Sequence, residues 1–210
     1  MKYRREPLCA TLILLVVQFG NVAFADKVTF NVKTTAGTAG EDVVVVFDPI
    51  GISIPAQRAS AIVDQIHKRF VPIVSVVRTG TTINFPNSDQ IRHQVYSFSP
   101  AKVFTLKLYA GSPQAGIVFD KPGLVVLGCN IHDSMLAYVV VVDSPYFAKI
   151  PASGKGTLDL PVGRYRMRVW HPDLKATVPP TEIVVGSNSK EIPLSVDLLS
   201  GSETVAEFPE

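Results

Sequence analysis

The stretch Gly128-Cys129-Asn130-Ile131-His132-Asp133-Ser134-Met135 sets a thiol, an imidazole and a thioether within seven residues, directly after the apolar run of residues 124–127. Thiolate and thioether are soft donors and imidazole suits several first-row metals, so a loop with this spacing can hold one transition-metal ion. A Cys-x-x-His pair is incomplete by itself. A fourth ligand, a rigid frame and a suitable compartment must come from the rest of the chain.

The fourth ligand is available at His93, which closes the polar loop Asn87-Ser88-Asp89-Gln90-Ile91-Arg92 just before an alternating run. The frame is expected to be all-β. Between residues 62 and 142, strand candidates follow one another at 62–66, 73–77, 81–85, 94–98, 103–108, 117–119, 124–129 and 136–142. Turns at Pro86-Asn87-Ser88-Asp89, Gly111-Ser112-Pro113 and Lys121-Pro122-Gly123 separate them, and short strands so spaced predict an antiparallel sandwich or barrel. Residues 58–70 contain Ala and Gln that would suit a helix, but Ile62, Asp64 and Ile66 alternate, and a strand is the preferred reading. On the first flank, residues 28–32 alternate and 43–47 form an apolar run ending at Asp48-Pro49. Beyond Asp143-Ser144-Pro145 the pattern restarts, with strands expected over 157–160, 164–169, 181–185 and 191–196. Tyr165, Met167 and Val169 share one face of their strand, and Arg164, Arg166 and Arg168 share the other, where a solvated sheet face is the expectation.

The compartment follows from the N-terminus. Lys2, Arg4 and Arg5 precede an apolar run over residues 8–19 and then Ala23-Phe24-Ala25, the form of a signal peptide cleaved after residue 25. The run is short for a bilayer span, which leaves an uncleaved anchor as the alternative and no span in the mature chain as the expectation. Three of the 20 Lys/Arg and one of the 18 Asp/Glu lie in residues 1–25, so the remainder carries no formal net charge. A neutral chain lacks the basic footprint that nucleic acid requires. Cleavage also removes Cys9, leaving Cys129 as the sole thiol of an exported protein. Such a thiol is oxidised unless it is buried, bridged between chains or bound to metal, and His132 three residues on favours metal.

The donor set His93, Cys129, His132 and Met135 is the one that suits a type 1 copper site: two imidazoles and a thiolate, with a weak axial thioether. Zinc could use the same first three residues, but it seldom takes methionine, and Met135 weighs toward copper. His67 reads as an exposed turn residue and His171, in Trp170-His171-Pro172-Asp173, as structural. Neither a Cys-x-x-Cys-His haem motif nor a His-x-His pair occurs, which argues against haem electron transfer and oxygen reduction, and no catalytic triad stands out.

Phe70-Val71-Pro72 through Gly80, Phe85-Pro86-Asn87-x-Asp89, His93 and the closing Cys129-x-x-His132-x-x-Met135 resemble the cupredoxins. The two-residue spacings on either side of His132 are most similar to amicyanin. Further stretches, Tyr96-Ser97-Phe98-Ser99-Pro100, Phe119-Asp120-Lys121-Pro122-Gly123 and Gly128 to Asp133, are similar to exported methylamine utilisation proteins. The resemblance implies a Greek-key sandwich holding one copper, with His93, Cys129 and His132 as strong ligands, Met135 as the axial one and His132 as the electron port. It also implies a periplasmic carrier, not an enzyme, that exchanges electrons with a dehydrogenase and a c-type cytochrome. One departure is Gln94, where cupredoxins commonly place an Asn that tethers the two ligand loops.

Gly154 to Trp170 and Val28 to Phe47 resemble carboxypeptidase regulatory-like, transthyretin-like sandwich domains. The expected organisation is a leader at 1–25, N-terminal strands at 26–60, a cupredoxin domain at 61–142, C-terminal sandwich strands at 143–198 and a loose tail at 199–210. The two flanks would assemble one small sandwich around the inserted metal domain, with two sequential domains as the plain alternative. In function, a one-electron copper carrier leads; a copper-handling or cell-surface binding module with a structural metal is the alternative.

Overall fold

The computed structural model describes residues 25–52, 54–55, 57–113, 115–186, 191–199 and 208–209. The expected leader and the expected tail lie outside the described residues, apart from Ala25, Leu199, Phe208 and Pro209. The described residues form strands and loops without a helix, in keeping with the all-β expectation. The first flank gives β1 (Ala25–Thr34) and β2 (Val44–Pro49). The middle gives β3 (Ser60–Ile62), β4 (Asp64–Ile66), β5 (Arg69–Val71), β6 (Val74–Arg78), β7 (Thr81–Asn84), β8 (His93–Ser97), β9 (Phe104–Tyr109), β10 (Ile117–Phe119), β11 (Gly123–Gly128) and β12 (Leu136–Val142). The last flank gives β13 (Phe147–Lys149), β14 (Lys155–Pro161), β15 (Gly163–Trp170), β16 (Thr181–Val185) and β17 (Ile192–Val196).

Four sheets stack with three apolar layers between them. Strands in the order β14-β1-β17 face the sheet β13-β2-β15-β16, and Val28, Phe30, Val45, Phe47, Tyr165 and Met167 fill the space between. The other side of that second sheet packs on β6-β12-β11-β8-β9 through Val44, Val46, Val74, Tyr138, Val140 and Trp170. The five-stranded sheet in turn closes on β10-β7-β3 over Ile83, Phe85, Val95, Phe119, Val125 and Val139.

Side chains alternate along a strand, so a sheet covered on both faces must be apolar at every position. That is why residues 43–47 and 137–142 read as unbroken apolar runs. Val45 and Phe47 point into the outer core while Val44 and Val46 point into the joint; Val139 and Val141 point toward the inner core while Val140 and Val142 point into the joint. β14 has only one face to bury, and its burial alternates accordingly.

The flanks come together across the whole chain. β1 runs antiparallel to β14 and parallel to β17, and β2 lies antiparallel to both β13 and β15. Strand pairing over 58–70 is more divided than the single strand expected at 62–66. β3 pairs in parallel with β7, whereas β4 turns back on β5, so Val63 between them marks a change of partner. The basic face of β15 is solvated at Arg164 and Arg166 but not at Arg168, which departs from the expectation. Its guanidinium donates to both Asp48 carboxylate oxygens, at 2.6 and 3.0 Å, and to the Pro209 carbonyl at 2.9 Å, with the Phe208 ring 4.4 Å away. The strand carries that position under the rim of the joint, where water is displaced by Asp48 and Phe208. His171 is buried, its Nδ1 accepting the Asp173 N–H at 3.1 Å, and burial holds its pKa below the ordinary imidazole value.

Two outcomes follow from this arrangement. Because β1 and β2 are interior strands of their sheets, a fragment of residues 143–210 is expected to show no cooperative unfolding transition, and adding residues 26–60 is expected to restore one in urea titrations. Burial raises the Tyr165 phenol to about 12, while its hydroxyl donates to the Pro161 carbonyl at 2.7 Å. A raised acid pKa means the native state holds the proton more tightly than the unfolded chain does. Stability from this group is therefore full below about pH 10 and is lost as the pH rises toward about 12. Tyr165→Phe should lessen that alkaline decline in equilibrium unfolding measured from pH 8 upward.

Candidate metal centre

His93 is the first residue of β8, Cys129 follows the last residue of β11, and residues 129–135 are the loop that joins β11 to β12. β8 and β11 are neighbours, with Tyr96 opposite Gly128. The pairing thus brings the start of one strand and the end of the next to the same edge of the sheet. One ring nitrogen of His93, the Cys129 sulfur and one ring nitrogen of His132 all lie within 4.8 Å of one another. The two imidazole rings meet at an interplanar angle of 60°, with centroids 5.1 Å apart. His93 is fully buried, Cys129 is 3% exposed and His132 is half-buried.

One nitrogen of each ring is buried without a hydrogen-bond partner. His93 Nε2 lies 2.7 Å from Asp89 Oδ2, which leaves Nδ1, and that atom is buried with no hydrogen-bond partner. His132 Nδ1 is likewise buried and unpartnered. An imidazole that donates from Nε2 has its lone pair on Nδ1. Two buried ring nitrogens without partners, beside a buried thiol, are costly unless something binds them. A metal ion fits that requirement. Asp and Glu are absent from the cluster, so the donor set is nitrogen and sulfur only and favours a borderline or soft metal over calcium or magnesium.

Met135 is buried in the inner core, and its backbone N–H donates to the His132 carbonyl at 3.0 Å, which closes the loop. Its side chain therefore sits in the same apolar layer as Cys129. The tether expected of an Asn at position 94 is made by Gln94 instead: its Oε1 accepts from Asn130 Nδ2 at 2.9 Å, linking the β8 strand to the cysteine loop. The longer side chain reaches the same loop from the same strand.

Gly128 allows the close approach that the loop requires. A Cβ there would lie 2.7 Å from the Tyr96 ring, well inside contact distance. His67 sits where it was expected, in an exposed turn, and is not drawn into the cluster. Its backbone matters more than its ring. His67 and Lys68 form the two-residue turn between β4 and β5 with φ of 52° and 59°, and their N–H groups donate to Asp89 Oδ1 and Oδ2 at 2.6 and 2.8 Å.

Asp89 is the functional-site residue that spacing alone did not single out. In the sequence it stands only as a member of a turn and of the Phe85-Pro86-Asn87-x-Asp89 stretch, four residues before His93. Asn87 fixes it by accepting the Asp89 N–H on Oδ1 at 3.0 Å, while Asn87 Nδ2 donates to the carbonyls of Ile91 and Tyr109. Desolvation by itself would raise the Asp89 carboxyl. The Lys68 N–H, the His93 ring and the His67 N–H outweigh it and hold the pKa below the usual carboxylate value.

No family model matches the chain, and no curated protein matches it. Solved structures do. A Cu-containing nitrite reductase from Thermus scotoductus is 22% identical with a TM-score of 0.37, over 46% of this chain and 26% of that one. A purple cupredoxin from Nitrosopumilus maritimus is 22% identical with a TM-score of 0.34, over 40% of this chain and 98% of that one. A pseudoazurin from Hyphomicrobium denitrificans is 26% identical with a TM-score of 0.33, over 39% of this chain and 74% of that one. The chain spans about a quarter of the nitrite reductase, and the similarity to each of the three covers less than half of this chain.

The Gly128 contact gives a direct check on the packing behind the loop. Gly128→Ala is expected to cost about 1–3 kcal/mol by overpacking against Tyr96. Combined with Tyr96→Ala the loss should be less than additive, as read from a double-mutant cycle of urea unfolding free energies.

Proposed function

We propose that this chain binds one copper ion through His93 Nδ1, Cys129 Sγ and His132 Nδ1, with Met135 as the weak axial ligand, and carries single electrons between redox proteins. The observation that carries the reading is a ring nitrogen of His93, a ring nitrogen of His132 and the Cys129 sulfur all within 4.8 Å of one another, with Nδ1 of both rings buried and unpartnered. The bound metal would supply a one-electron Cu(I)/Cu(II) couple, which thiolate and imidazole support from opposite sides by favouring the two oxidation states.

The chain's own residues do the rest. The start of β8 and the loop that follows its neighbour β11 hold the donors in place, so little rearrangement would accompany a change of charge. The apolar layer beneath Cys129 and Met135 keeps water from the sulfur atoms. His132 is the ligand nearest the exterior, beside Ile131, which is 51% exposed, and it would serve as the route for the electron. An electron taken from a dehydrogenase would leave to a c-type cytochrome by the same face, as in an amicyanin-like carrier of methylamine utilisation. The reading is of a carrier, not an enzyme, exported to the periplasm by residues 1–25. The metal unit at 61–142 would stand inserted in the sandwich formed by 26–60 and 143–198.

The test is a visible spectrum and voltammogram of the purified protein loaded with Cu(II). An intense thiolate-to-copper absorption and a reversible one-electron wave are expected. Cys129→Ser should lose the absorption while unfolding in urea much as the parent does, and Met135→Leu should keep the absorption with an altered potential. A colourless, electrochemically silent Cu(II) protein would sink the proposal and leave a structural metal in its place.

A further inference from the structure

We infer that Asp89 is a positioning residue for the metal ligand His93, and that the β4–β5 turn, by fixing Asp89, sets the redox balance of the centre. The inference rests on the copper reading above. Its geometric base is a chain of three contacts. The N–H groups of His67 and Lys68 hold both oxygens of Asp89, and Oδ2 in turn faces His93 Nε2 at 2.7 Å, with the ring completely buried.

Each link has a physical consequence. A carboxylate on Nε2 admits only the tautomer whose proton is on Nε2, and so presents the Nδ1 lone pair inward. Drawing that proton toward an anion makes Nδ1 a stronger donor, which favours the more highly charged Cu(II) over Cu(I). A water or a backbone carbonyl in the same place would orient the ring without the full negative charge.

The turn shows that the placement is built. Two-residue hairpin turns with positive φ at both positions favour Asn and Gly, because other side chains meet steric strain there. This chain has His67 and Lys68 instead, at φ of 52° and 59°. The strain is offset in part by two charge-assisted hydrogen bonds to Asp89, which are stronger than neutral ones. Asp64 secures the adjacent residue by accepting from the Ser88 hydroxyl at 2.8 Å and the Ser88 N–H at 3.2 Å. Asp89 is therefore held from the hairpin side and from its own loop, and has no freedom to leave His93.

The experiment compares copper-loaded parent, Asp89→Asn and Asp89→Ala by voltammetry at one neutral pH, with the visible band recorded on the same samples. Removing the charge should shift the Cu(I) to Cu(II) preference toward Cu(I) by about tenfold or more, a rise of about 59 mV for each tenfold in a one-electron couple. Retention of the band with a potential changed by less than about twofold in that preference would overturn the inference and leave the copper reading intact. A parent with no copper band would sink both. Should the variants fail to fold, the parent decides: in the diamagnetic Cu(I) form the His93 Nε2–H is expected to exchange with water far more slowly than a free imidazole N–H. Exchange at the free rate would overturn the inference.

Discussion

Everything at the metal centre depends on β12 being buried on both faces. Its odd-numbered side chains, Ala137, Val139 and Val141, fill the inner core, and its even-numbered ones, Tyr138, Val140 and Val142, fill the joint with the outer sandwich. The loop of Cys129, His132 and Met135 is the connection from β11 into this strand. Burying each of its four valines, Val139 to Val142, contributes roughly 1.5–3 kcal/mol, against a net stability of about 5–15 kcal/mol for an ordinary domain. The loop is thus anchored at its exit by the most completely buried strand of the inner sheet. A loop fixed in this way holds Cys129 and His132 beside His93, where a nitrogen of each ring lies without a partner.

The same layering explains which parts of the structure could be read in advance. Residues whose burial alternates announce strands by their pattern, as at 164–169, and those buried on both faces announce them by length, as at 136–142. The grouping of His93, Cys129 and His132 was legible because Cys129 and His132 lie three apart at the end of an apolar run and His93 stands just before an alternating strand. Gln94 was the doubtful point, and it reaches Asn130 by an extra methylene. Asp89, by contrast, stood out only as part of a turn and of the Phe85-Pro86-Asn87-x-Asp89 stretch, with no sign of its contact to His93. Its role arises from β4 and β5 folding back beside the loop of residues 86–92, a contact between segments over twenty residues apart that no local pattern encodes.

Arg168 illustrates the limit of reading faces from alternation. Period two correctly put it opposite Tyr165 and Met167, but whether that opposite face meets water depends on what the sheet packs against. Toward one end of β15 the face is open and Arg164 pairs with the exposed Glu182. Toward the other it runs under the joint, and the same side of the strand carries Arg168 and then the fully buried Trp170. A single strand therefore changes from surface to interior along its length.

The chain passes from the outer sandwich to the inner one before β3 and returns after β12, and the two crossings are sewn together. Arg78 donates to the Pro55 carbonyl and the Gln57 side chain, Thr79 to Asp143, and Ser144 to the Phe47 carbonyl. A joint crossed once by the chain is held at one point, whereas this one is held at two and by the apolar layer between them. The candidate site at His93, Cys129 and His132 is therefore tied through β12 to the outer sandwich as well as to its own sheet.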